Sequence, residues 1–117
     1  MAINTQNNPL KGKNCVLSFE VKDKTFAKDA KVTFSYIPDR EIVKQNDFCT
    51  FVQSIQSKDC VETFANQVIE QFYNEALPFY TKLELKVKHP NTGEVQYLKV
   101  VKKQPNYTIP EEIRDLI

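Results

Sequence analysis

The first sustained alternation in the chain starts at Cys15. Cys15, Leu17, Phe19 and Val21 are separated by Val16, Ser18, Glu20 and Lys22; after a polar stretch, Val32, Phe34 and Tyr36 are separated by Lys31, Thr33 and Ser35. A period of two marks a strand with one buried face, so these runs predict a hairpin. At Asp47 the period changes. Phe48, Phe51, Val52 and Ile55 fall on one face of a short helix, with Asn46 or Asp47 as its expected cap. A longer helix is predicted over residues 59–76, where Val61, Phe64, Ala65, Val68, Ile69 and Phe72 form one stripe and Leu77-Pro78 ends it. The period then returns to two, with Phe79, Thr81, Leu83, Leu85 and Val87 against Tyr80, Lys82, Glu84, Lys86 and Lys88. "HPNTGE" turns the chain into a last strand over about 94–102, whose alternation slips at Tyr97-Leu98 and predicts a bulge.

The order is therefore ββααββ, an α+β fold in which a four-stranded antiparallel sheet packs on two helices. Residues 15–103 form the single predicted domain, residues 1–14 a loose polar tail, and residues 104–117 a C-terminal tail with a short helix. One sheet face remains for the long charged residues of the third strand. Such a face is ordinary when solvated, and it is also what the inside of a wet oligomeric barrel would show.

Composition narrows the function classes. With 117 residues and 16 Lys+Arg against 15 Asp+Glu, no large net charge drives the chain onto nucleic acid or an anionic membrane, although a local basic patch is compatible with these totals. The polar "MAINTQNNPLKGKN" has no apolar core, and no run reaches membrane-spanning length, so a cytoplasmic location is expected. Cys15, Cys49 and Cys60 are odd in number and unrelated in spacing, which fits reduced thiols, and the lone His89 leaves no His-rich metal site.

Candidate chemistry starts at "SYIPDREIV", residues 35–43. Pro38 cannot donate to a ladder and holds Ile37 extended, and Asp39 can cap the turn that follows, so the peptide reads as punctuation on physical grounds. Its sequence context gives it a second reading. "VTFSYIPDREIV", then "VETFANQVIEQF" on the long helix, then "LPFYTKLELKV", place Tyr36, Ile37, Pro38, Asp39, Glu62, Asn66, Pro78 and Tyr80 in an order that resembles the QueF-type nitrile reductases of queuosine biosynthesis, over roughly residues 31–88.

That resemblance implies a tunnelling fold and a homo-oligomer with sites at subunit interfaces. It also implies binding of 7-cyano-7-deazaguanine or a related purine or pterin base, with Glu62 holding the ring N–H and exocyclic amine and with Tyr36 and Pro38 at the corner of the site. A carboxylate accepting two parallel hydrogen bonds selects a guanine-like edge. The spacing Asp59-x-x-Glu62 is equally a capping box, in which Glu62 would serve the helix instead.

The remaining parts of the family pattern are missing. Val21 and Lys28 stand where its nucleophilic cysteine and its aspartate would fall, Val61 where its histidine would be, and "KQNDFCTF" where its NADPH-gripping run would be. No cofactor is expected on this pattern. The archaeal branch, which transfers ammonia to the nitrile on tRNA, lacks the same NADPH run but keeps the cysteine and aspartate; a tRNA partner is compatible with the likeness and unsupported by net charge. Asp29 lies one residue from the expected aspartate. Cys60 and Cys49, each in the first turn of a predicted helix where free N–H groups favour a thiolate, are the substitute nucleophiles to weigh against ordinary core packing. Cys15, on the apolar face of the first strand, is a weaker third.

Three readings follow. One is a base-binding protein without nitrile reduction, another is a deazapurine enzyme, reductase-like or amidinotransferase-like, with a relocated nucleophile, and the blandest is an α+β domain whose likeness to the family is structural only.

Overall fold

The computed structural model describes residues 3–23, 29–55, 60–89 and 91–117, the side chains of Asp23 and Asp29 excepted. In chain order the elements are β1 (Gln6–Asn7), β2 (Leu17–Asp23), β3 (Asp29–Ile37), β4 (Glu41–Ile42), α1 (Gln45–Ser54), α2 (Val61–Ala76), β5 (Tyr80–Lys88), β6 (Val95–Lys103) and a 3-10 helix (Glu111–Leu116). The fold is α+β and its described sheets are antiparallel: β2-β3-β5-β6 form the main sheet, and β1 pairs with β4. The expected ββααββ order is present, with two short strands added.

Register sorts the side chains by face. Rows Leu17–Tyr36–Thr81–Lys102, Phe19–Phe34–Leu83–Val100 and Val21–Val32–Leu85–Leu98 point to the helices. Against them α1 buries Phe48, Phe51 and Val52, and α2 buries Val61, Phe64, Ala65, Val68, Ile69, Phe72 and Ala76. The centre is aromatic, with Phe34 ring centroids 4.5 Å from Phe72 and 5.0 Å from Phe48. Rows Ser18–Ser35–Lys82–Val101, Glu20–Thr33–Glu84–Lys99 and Lys22–Lys31–Lys86–Tyr97 point the other way, where no helix covers them.

One end of that open face is covered after all. Ile37 and Tyr80 are buried there beneath Ile113 of the 3-10 helix, together with Phe79, Tyr107 and Ile109, and the Phe79 and Tyr107 rings stack at 4.9 Å. Phe79, expected on the helix-side face, thus belongs to this second cluster, because strand β5 begins only at Tyr80.

Three local expectations are corrected. The β5–β6 register runs one-to-one from Tyr80↔Lys103 to Lys88↔Val95, so there is no bulge at Tyr97-Leu98. The slip in hydrophobicity arises because β6 is an edge strand, half-covered on its helix side and able to carry Val95, Tyr97 and Val101 outward. Helix α1 starts ahead of its expected caps: Lys44 is the N-cap without a side-chain bond, its carbonyl accepting from Phe48 N–H at 2.9 Å, and Asp47 sits inside the first turn, where its charge suits the helix dipole. The polar N-terminal residues are tied down over Ile3–Asn8. Ile3 is buried with its N–H bonded to Glu75, and Asn8 donates to the Asp39 carbonyl and accepts from Leu10 N–H. Pairing of β1 with β4 consumes backbone groups that the polarity of the segment does not announce.

Candidate functional site

Glu62 enters through the first turn of α2. The helix is capped by Cys60, whose Sγ accepts from Thr63 N–H at 3.4 Å and lies 3.0 Å from Thr63 Oγ1. Asp59, the expected cap, lies outside the described residues. With Cys60 at the cap, Glu62 is one position too early to close a capping box, which needs the third helical residue. Its carboxylate is exposed. Its own backbone N–H, the Cys60 thiol and Gln96 all donate to it and hold it below the usual carboxylate range, with Gln96 Nε2 3.2 Å from Oε1. The first turn of a helix favours the same ionised form. Gln96 escaped sequence reading because the supposed bulge hid its place; strict alternation along β6 would have turned it toward α2.

Tyr36 is placed quite differently. It is fully buried, and its hydroxyl accepts from Val43 N–H at 3.0 Å and faces the Val43 carbonyl at 3.4 Å. The ring therefore fastens the corner that Pro38 turns, and burial pushes its pKa up to about 12. Pro38 is buried as well. Neither presents an atom to an outside ligand at this corner.

Nor do Glu62 and the corner meet within one chain. Gln96, beside Glu62, is in register with Val87 and Ala30, whereas Tyr36 is in register with Thr81 and Lys102. Six residues of β6 separate these two rows, roughly 20 Å at strand rise. Asp29, opposite Lys88, starts β3 at the Glu62 end of the sheet.

A surface cleft of about 480 Å³ opens at the other end, lined by Asn7, Asp39, Arg40, Glu41, Leu77 and Gln104. Leu77 takes a left-handed backbone (φ 50) and leaves 56% of its surface exposed there. Gln104 Nε2 donates to the Pro78 carbonyl at 3.1 Å, and Thr5 Oγ1 donates to Glu41 at 2.7 Å. Arg40 and Gln104 carried no signal in sequence, since the cleft is made by elements distant along the chain.

The thiols divide by surroundings. Cys49 is half-buried against the main core, and Cys15 is half-buried with its pKa raised by that burial. Cys60 is exposed and touches Glu62, but a carboxylate held below its usual range is a poor base for a thiol. Among the described residues no three His, Cys, Asp or Glu side chains gather as a metal site requires, and no helix is long and apolar enough to cross a membrane. Compared with models of known families and with curated proteins, the chain matches none.

Proposed function

We propose that this protein is a tunnelling-fold relative of the queuosine-pathway nitrile reductases that binds a 7-deazaguanine or related purine or pterin base without NADPH-dependent reduction. The observation that carries the reading is Glu62: it is exposed, ionised and released from the helix cap by Cys60. A carboxylate of that kind is available to accept a guanine-like N–H and amine together. Because Glu62 and the Pro38 corner stand at opposite ends of one sheet, the site is completed by a second copy. Glu62 of one protomer then faces the Asp39–Glu41 cleft of its partner, whose volume lies within the span usual for small-molecule sites.

Titration calorimetry with 7-cyano-7-deazaguanine, guanine and pterin tests this directly. Wild type should bind at least one of them, and Glu62→Gln should weaken it by roughly 30-fold or more, since one acceptor becomes a donor facing the ligand's own N–H groups. Because Cys60 rather than Glu62 caps α2, melting of this variant should fall only slightly, by the loss of one exposed charge in the first turn. No binding of any of the three, or equal binding by both proteins, sinks the assignment. Light scattering that shows a monomer in the presence of bound base would remove the two-copy site.

The exposure of the Cys60 thiol at the N-cap of α2 favours one second reading, a relocated nucleophile. Addition of the Cys60 thiol across the nitrile would form an S–C bond and move the thiol proton to nitrogen. Intact-mass analysis after incubation would then show a gain equal to the nitrile, lost in Cys60→Ser; an unchanged mass rules this reading out.

A further inference from the structure

The near-zero net charge of the chain, +1, hides an uneven distribution. On the open sheet face three lysines stand side by side across three strands, Lys22, Lys31 and Lys86, and the same row ends at Tyr97. Directly opposed like charges on a sheet are destabilising, so this row is not a default choice for a solvated surface. Only partial relief is present: Lys31 reaches Glu20 at 3.4 Å, and Lys22 and Lys86 have no ion pair among the described residues. The neighbouring Glu84 is held by Lys82 at 2.8 Å on its own strand, and the next row ends in Lys99. Lys88 extends the same face on β5, whereas Lys103 lies at the other end beside Tyr80, where its ammonium donates to the Tyr107 carbonyl at 2.9 Å.

Beside the lysines runs a shallow groove of about 160 Å³, lined by Lys31, Thr33, Glu84, Lys86, Tyr97 and Lys99. Tyr97 is 68% exposed, a flat ring lying where the cationic row ends. At the far end of the face the 3-10 helix, with Glu111, Glu112 and Asp115 against the single Arg114, closes the surface over Ile37 and Tyr80. An anionic chain is thereby directed across the strands, from β2 toward β6, and away from the acidic end.

We infer that the open face of the sheet binds single-stranded nucleic acid, its phosphates along the Lys22–Lys31–Lys86 row and a base on Tyr97. Lysines neutralise phosphates without regard to sequence, and an exposed aromatic ring accepts any base by stacking. An acidic protein segment matches the lysines but offers Tyr97 no base to stack. A duplex matches them too, with its base faces already stacked. The inference uses different residues and a different ligand from the base-binding reading; in the closed barrel that reading expects, the same face lines the bore and the nucleic-acid strand runs through it.

Fluorescence anisotropy with a labelled oligothymidylate of about 12 nucleotides, a length within one single-strand site, tests it. Saturable binding is expected at low salt, and for three or four neutralised phosphates log K should fall against log salt with a slope of about −2 to −3. The double change Lys31→Glu with Lys86→Glu should weaken binding tenfold or more. Tyr97→Ala should weaken it about fivefold or more with the salt slope unchanged, the mark of a stacking contact. Melting curves of the variants establish that they are folded, and the milder Lys86→Gln replaces any that is not. Absence of binding at 50 mM salt overturns the inference, as does binding that survives both changes. A charge reversal that alters the oligomeric state and leaves the oligonucleotide signal untouched assigns the face to a second copy and overturns it too.

Discussion

The two faces of the main sheet share one backbone and one period, yet obey different rules. On the helix side, Val32, Phe34, Leu83 and Val87 have no exposed surface at all and belong to one hydrophobic cluster. There the hydrophobic effect acts on summed area, so alternation alone predicts which residues take part. On the open side the same alternation merely says polar. What distinguishes that face is which charge lies opposite which across strands, and strand pairing decides it. The buried face teaches how the chain folds; the open face is where residues are free to be chosen for a partner.

The largest expected effect tests that contrast on adjacent residues of β3. Phe34→Ala removes a ring packed among Phe48, Phe72 and Tyr36 and should cost about 3 to 5 kcal/mol. Thr33→Ala, on the opposite face, should stay within about 0.5 kcal/mol. Urea denaturation of both variants measures the pair; comparable losses would break the distinction between the faces.

Tyr36 sharpens it, because a hydroxyl on the buried face survives only by being bonded. Its folded pKa, about 12, lies above the value of about 10 expected in the unfolded chain. The native state therefore keeps a proton that the unfolded state has lost, so this contribution is complete below pH 10 and falls as pH rises through 12. The loss should reach about 2 to 3 kcal/mol. Tyr36→Phe should abolish that alkaline step relative to wild type. At neutral pH it should cost about 1 to 3 kcal/mol, because Val43 N–H loses its buried acceptor.

The cover over the buried face begins at Cys60, a weak acceptor at a cap. Cys60→Ser should raise stability by about 0.5 to 1 kcal/mol, read from the melting temperature, since serine is preferred at that position. Smallest of all is Lys86→Gln on the open face. Relief of the opposed Lys31 should leave stability equal or higher by a few tenths of a kcal/mol at low salt, the gain vanishing as salt is added. A clear loss would mean that Lys86 supports the fold itself.

Legibility in the sequence followed the same division. Helix α2 and strands β2, β3 and β5 were readable because each repeats its apolar spacing over several turns or pairs. The boundaries were not. Asn46 and Asp47 are good caps in isolation, yet the chain enters α1 at Gln45, with the Val43 backbone just ahead of it held by a Tyr36 hydroxyl from β3. At Glu62 the sequence offered two roles with one spacing, and the one-residue shift of the cap to Cys60 removes the capping-box role.

Sequence by itself determined the α+β order, the aromatic core and the presence of lysines alternating along β5, because burial and periodicity are local sums over neighbouring residues. Only the tertiary structure decided that Lys22, Lys31, Lys86 and Tyr97 share one row, that Gln96 meets Glu62, and that Glu62 lies a sheet-length from Pro38. Those relations depend on register between segments far apart in the chain, and a one-residue slip in any pairing would have turned each side chain to the other face.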